Sequence, residues 1–252
     1  MRSIVYFGYL ALAGAAPAFA AAQPDTPPDA GTPQSGDIVV TAQLRRQNAL
    51  DVPIALTAYN GEFLNRLGIY EFDKLSSYTP GLLVQNQSPN NPGFVIRGIT
   101  SDSGSAYNEP RVSVFQDGVS IAKSRGSYVE LFDLDRVEVA KGPQTTLYGR
   151  GALIGAINLV EAKADPSGMA MSERLSYGNY NAVQADAMVN LPLGDRAAIR
   201  FAGRYKVRDG YVNDDLGGDA FNSTKTGALR AAFHADPTDR ISFDVIGNYQ
   251  HD

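Results

Sequence analysis

From residue 183 onward, apolar and polar side chains alternate with a period of two over long runs. Each run reaches about 10 to 12 residues, the length at which a tilted strand crosses a bilayer and about twice that of a strand in a soluble domain. Ala197, Ile199, Phe201, Gly203, Tyr205 and Val207 share one parity; Arg196, Arg200, Arg204, Lys206 and Arg208 share the other. Val183 to Leu193 repeats the pattern with Gln184, Asp186 and Asn190 on the polar side. Gly227, Leu229, Ala231 and Phe233 oppose Arg230 and His234, while Ile241, Phe243, Val245 and Tyr249 oppose Ser242, Asp244 and Asn248. Successive side chains on a strand point to opposite faces, so the spacing predicts a sheet with hydrocarbon on one side and water on the other. A soluble sandwich alternates too, but with shorter strands. Loop lengths favour a barrel: Leu193–Arg196 and Ala235–Asp239 read as tight turns, and Asp209–Ser223 as a long Gly/Asp-rich connection. Tyr177, Tyr180, Tyr211 and Tyr249 suit interfacial aromatic girdles.

The other end of the chain reads as export followed by a tether. Arg2 precedes an apolar run from Ile4 to Ala16, and Ala18-Phe19-Ala20 supplies a small-x-small cleavage pattern, so residues 1–20 are expected to be a signal peptide. Residues 21–36 contain four prolines and almost no apolar side chains. Such a segment cannot offset its ordering entropy and reads as a disordered linker, able to reach roughly 40 Å in extended form. Asp37-Ile38-Val39-Val40-Thr41-Ala42-Gln43 follows, a β-branched run with no partner strand close by in sequence. Two readings stand at this point: a tethered strand that adds itself to a sheet edge of another protein, or the first strand of the next domain.

Residues 44–164 alternate short helix and strand signals in an α+β pattern. Asn60 is placed to cap a helix through Phe63 and Leu64 that Gly68 ends, and a second helix runs from Phe72 to Ser77. Strands are expected at Leu82–Gln85, Phe94–Ile99, Val112–Phe115, Val119–Ile121, Arg136–Ala140 and Ala156–Val160. Asp117-Gly118 provides a tight hairpin turn between the third and fourth.

Several chemistries are disfavoured. There is no Cys and the histidines are His234 and His251, so a thiolate site, an imidazole cluster or a Ser-His-Asp triad lacks its parts; no catalytic residue, metal site or cofactor is expected. Gly149-Arg150-Gly151 is followed by Gly155, one residue too late for a dinucleotide fingerprint. Asp133 and Asp135 read as solvated turn residues. The net charge of −5 opposes a nucleic-acid partner.

Ile96-Arg97-Gly98-Ile99, Phe115-Gln116-Asp117-Gly118-Val119 and the string Val137-Glu138-Val139-Ala140-Lys141-Gly142-Pro143-Gln144-Thr145-Thr146-Leu147-Tyr148-Gly149-Arg150-Gly151-Ala152, ending Gly155-Ala156-Ile157-Asn158, resemble the plug domain of TonB-dependent outer-membrane receptors. The departures are Lys141, where the family usually has Arg, and Leu153-Ile154, where Ile-Gly is commoner. The resemblance implies that Asp37, Ile38, Val39, Val40, Thr41 and Ala42 form a TonB box, gripped by the periplasmic domain of TonB. It implies that Arg97 and Lys141 pair with barrel glutamates and lock the plug, more loosely at Lys141, which lacks the forked donor set of Arg. It also implies that outward plug loops, including Gln87, Asn90, Asn91, Ser101, Asp102, Tyr107 and Asn108, touch a small-molecule or metal-chelate substrate.

The expected fold class is an α+β plug domain, residues 44–164, followed in residues 165–252 by the first ~5 antiparallel strands of an incomplete transmembrane β-barrel. Plugged transporters close with roughly 22 strands, so the chain reads as the N-terminal piece of a longer importer in the Gram-negative outer membrane. The importer would take up a scarce nutrient, an iron chelate, a vitamin or a glycan. The alternative is a soluble periplasmic binding or signalling module using a plug-like fold.

Overall fold

A computed structural model describes residues 4–6, 38–42, 45–88, 91–100, 110–121, 127–149, 151–213, 218 and 220–252. The chain divides into two compact units, one within residues 20–162 and one built from residues 163–252 together with a short N-terminal strand, β1 (Ile4–Tyr6).

The first unit opens with β2 (Val39–Val40) and β3 (Gln47–Asn48), which pair antiparallel. This corrects the expectation that residues 37–43 lack a nearby partner. Gln47 and Asn48 have little intrinsic strand preference, and it is pairing with the valines that makes them a strand. β4 (Leu56–Asn60) runs into α1 (Gly61–Leu67), where the Asn60 side chain accepts from the Phe63 N–H at 2.8 Å and Gly68 ends the helix in the left-handed region at φ 66°. α2 (Phe72–Tyr78) turns into β5 (Leu82–Ser88), which pairs with β6 (Asn91–Ile96) and then β7 (Ile99–Thr100) in a three-stranded antiparallel sheet. The strand expected over Phe94–Ile99 is therefore broken, because Arg97 and Gly98 both take positive φ, 53° and 80°, and reverse the chain.

β8 (Val112–Gln116), β9 (Val119–Ile121), β10 (Leu134–Lys141) and β11 (Gly155–Glu161) join β4 in a five-stranded sheet of order β4-β10-β11-β8-β9, with α3 (Thr145–Tyr148) between β10 and β11. β8 and β11 run parallel and the other pairs antiparallel. Asp117 and Gly118 make the expected hairpin turn with φ of 48° and 79°. The core gathers Phe72 and Leu75 from α2, Phe94 and Ile96 from β6, Val112 and Val114, Val137 and Val139, and Ile157 and Leu159. Phe72 meets Phe94 edge-on at 5.4 Å.

The second unit is a sheet of order β1-β16-β15-β14-β13-β12, antiparallel throughout and not closed on itself. Its strands are β12 (Ala170–Gly178), β13 (Ala182–Pro192), β14 (Ala197–Arg208), β15 (Thr224–Thr238) and β16 (Ile241–His251). Direct partners share parity, as in Ala185 with Tyr205 and Asp186 with Arg204, so each face keeps one chemistry across the sheet. Phe201, Tyr205, Leu229 and Phe233 are exposed on the apolar face, whereas Asn190, Arg204 and Arg230 on the polar face are buried. The turn expected at Ala235–Asp239 is displaced: β15 continues to Thr238, the ladder slips between Ala235 and Thr238, and Pro237, which cannot donate to a ladder, falls in that irregularity. The connections at residues 179–181 and 209–223 lie at one end of the sheet, so that end carries one short turn as well as the long loop. Tyr180 and Tyr211 meet there at a tilt of 52° with ring centroids 5.8 Å apart, and the Arg208 guanidinium lies 5.0 Å from the centre of the Tyr211 ring.

Candidate functional site

β10 presents two faces. Val137 and Val139 are fully buried in the core, which turns Arg136, Glu138 and Ala140 to the opposite side. The segment 38–42 lies against that side. Val40 and Ala42 are buried, the Ala49 N–H donates to the Ile38 carbonyl at 2.8 Å, and the Thr41 N–H donates to Glu138 Oε1 at 2.7 Å. The Thr41 hydroxyl donates to the same oxygen at 3.2 Å and accepts from Arg136 Nη2 at 3.0 Å. Arg136 Nε donates to Glu138 Oε1 at 2.7 Å. Asn158, directly across the ladder on β11, donates to Glu138 Oε2 at 3.2 Å. Burial pushes the Tyr148 phenol up to about 12, and the negative charge of Glu138 adds to the shift.

At the end of the same strand, Lys141 Nζ donates to Thr57 Oγ1 at 2.9 Å and to the Pro80 carbonyl at 3.2 Å. Partial burial lowers its pKa, and the nearby Arg97 cation lowers it further. Arg97 is exposed in its left-handed turn, held by its N–H to the Gly81 carbonyl at 2.8 Å. Lys141 is the last residue of β10, and Arg97 stands in the turn that breaks the strand expected over Phe94–Ile99. The fold brings the two together without an ion pair to either among the described residues.

Of the remaining expected site residues, Gln87 belongs to β5, at an irregularity in its ladder with β6, and Asn91 opens β6. Asp37, Asn90, Ser101, Asp102, Tyr107 and Asn108 lie outside the described residues. The roles of Glu138, Arg136 and Asn158 were missed by sequence reasoning. Their signal was a carboxylate placed between two valines that the alternation buries, with an arginine two residues earlier on the same face.

Residues 48–156 match the TonB-dependent Receptor Plug Domain family. The pesticin receptor of Yersinia pestis is 29% identical over 211 residues, covering 81% of this chain and 30% of that protein. The ferrioxamine B receptor of Salmonella typhimurium is 30% identical over 190 residues, covering 72% of this chain and 23% of that protein. The chain thus spans under a third of the length of these relatives. Among solved structures, the ferric yersiniabactin uptake receptor FyuA of Yersinia pestis superposes with a TM-score of 0.70 at 24% identity, over 78% of this chain and 31% of that one. The pyoverdine outer membrane receptor FpvA of Pseudomonas aeruginosa gives 0.71 at 19% identity, over 86% and 31%. The chain therefore carries a TonB-dependent receptor plug domain followed by antiparallel barrel strands, and it is homologous to the TonB-dependent receptors.

Proposed function

We propose that this chain supplies the plug and the first membrane strands of an outer-membrane importer for an iron chelate, energised through TonB. The observation that carries the reading is the second unit: five antiparallel strands of 9 to 15 residues with Phe201, Tyr205, Leu229 and Phe233 exposed on one face. Exposed aromatic and aliphatic side chains on strands of that length match hydrocarbon as solvent. Iron chelates are favoured over vitamins because the relatives named ferrioxamine B receptor and ferric aerobactin receptor are 30% and 37% identical, against 24% for a vitamin B12 transporter. In this reading residues 38–42 are the strand that TonB captures by β-augmentation, so capture requires the segment to leave its seat beside Glu138. Arg97 and Lys141 hold the plug through carboxylates on the barrel wall, and no bond of the substrate changes.

The test is to express the whole receptor that carries this chain, fractionate the cells, and measure uptake of a panel of radiolabelled ferric chelates with and without TonB. A heat-modifiable outer-membrane protein with TonB-dependent iron uptake supports the reading. A soluble periplasmic product overturns it in favour of a binding or signalling module, and TonB-dependent uptake of a vitamin or glycan instead of iron overturns the substrate class.

A further inference from the structure

Glu138 is a carboxylate with a side chain only 1% exposed, and a buried carboxylate persists only where donors surround it. Its donors divide evenly by origin. The Thr41 N–H and hydroxyl come from the segment ahead of the plug; Arg136 Nε and Asn158 Nδ2 come from β10 and β11 of the plug itself. Thr41 also joins both partners, because its hydroxyl donates a hydrogen bond to Glu138 while accepting one from Arg136.

We propose that Glu138 is a resettable latch for residues 38–42, with Thr41 as its catch. The proposal rests on the reading of that segment as the strand captured by TonB. When the segment departs, Thr41 takes its two donors with it, yet Arg136 and Asn158 stay on the carboxylate. The carboxylate keeps its hydrogen bonds from Arg136, which also pairs with the exposed Asp135, and from Asn158, and is not left a bare buried charge, so opening does not unravel the plug. The same oxygen, Oε1, stays oriented by Arg136 and ready to receive the Thr41 N–H again. Burial of Val40 and Ala42 adds apolar adhesion, but the polar ring around Thr41 sets the register at which the segment shuts.

The experiment uses the whole receptor in outer-membrane vesicles with a Val40→Cys reporter, since Val40 is 0% exposed when the segment is seated. The readout is the rate of reaction with a soluble maleimide. Thr41→Val removes the hydroxyl without touching the plug, and Glu138→Gln keeps the side-chain shape while removing its charge. Each is expected to speed labelling about tenfold, the consequence of losing charge-assisted hydrogen bonds that hold a locally opening segment. Combined, they should speed it by less than the product of the single effects, because both open one latch. Unchanged labelling in both single variants overturns the proposal. So does faster labelling in Glu138→Gln alone accompanied by new protease cleavage within the plug sheet. The partner reading fails separately: a freed segment that does not capture a purified TonB periplasmic fragment upholds the latch and removes TonB as what it serves.

Discussion

Asp186 and Arg204 face each other directly across β13 and β14, with Arg204 Nε donating to Asp186 Oδ1 at 2.6 Å and Nη2 to Oδ2 at 3.2 Å. The arginine side chain is 1% exposed and the aspartate 19%, so the pair sits where water screens little. Asp186→Ala strips two charge-assisted bonds from a buried guanidinium and is expected to cost about 2–3 kcal/mol. Asp186→Asn, which keeps an acceptor, should cost less. Urea unfolding of the receptor with tyrosine fluorescence as probe would rank the two; equal stability of all three proteins contradicts the pairing.

Asn190, on the same face of β13, closes the chain segment that enters the sheet. Its side chain accepts from the Asp165 N–H at 2.9 Å and donates to the carbonyls of Asp165 and Gly168 at 2.7 and 2.8 Å. Asn190→Ala should expose residues 165–168 to proteolysis, and Asn190→Asp should do so more strongly, since a carboxylate would confront two carbonyl oxygens. Mass spectrometry of limited digests reads the order; protection equal to that of the parent protein would refute it.

In the plug, Gly61 opens α1 against β10. A Cβ placed there would come within 1.9 Å of the Leu134 carbonyl oxygen, a backbone atom that cannot swing aside. Gly61→Ala is therefore expected to destabilise the plug by about 1–3 kcal/mol through overpacking. Hydrogen exchange of the β4 and β10 amides should quicken in step, and unaltered exchange would show that the helix can shift without cost.

Lys141 gives a pH-dependent signature. Its folded pKa is lowered from 10.5, by burial first and by Arg97 second, so its protonated form is less favoured in the plug than in the unfolded chain. The cost is fully present below the folded pKa, fades as pH rises from there, and is gone above 10.5. Replacing Arg97 by Gln should move the Lys141 midpoint upward without restoring 10.5, because burial remains. NMR titration of the lysine side chain measures this, and a midpoint insensitive to Arg97 would mean that the two cations do not sense each other.

Local chemistry was legible in the sequence wherever a feature closes within a few residues. The Asn60 cap, the Gly68 stop and the Asp117-Gly118 turn need only their own neighbours, and each stands where its residue type demands. The two faces of β13 to β16 were equally plain, because period two carries across every rung of an antiparallel ladder. What stayed hidden depends on partners far along the chain or on weak local preference. Thr41 and Glu138 are 97 residues apart, and nothing near either announces the other. β3 is made of Gln and Asn, and Arg97 occupies a left-handed turn that a side chain rarely adopts, so both escaped a reading based on propensity.

The two-rung ladder of β2 and β3 has a mechanical corollary. Val39 with Asn48 forms the open end and Val40 with Gln47 the end nearest the turn, so tension applied at Ile38 while Asn48 is anchored loads the rungs in succession and not all at once. Peeling of this kind yields at far lower force than sliding long strands past each other. A force-ramp recording on the receptor should accordingly show a small early extension step, well before the five-stranded sheet gives way.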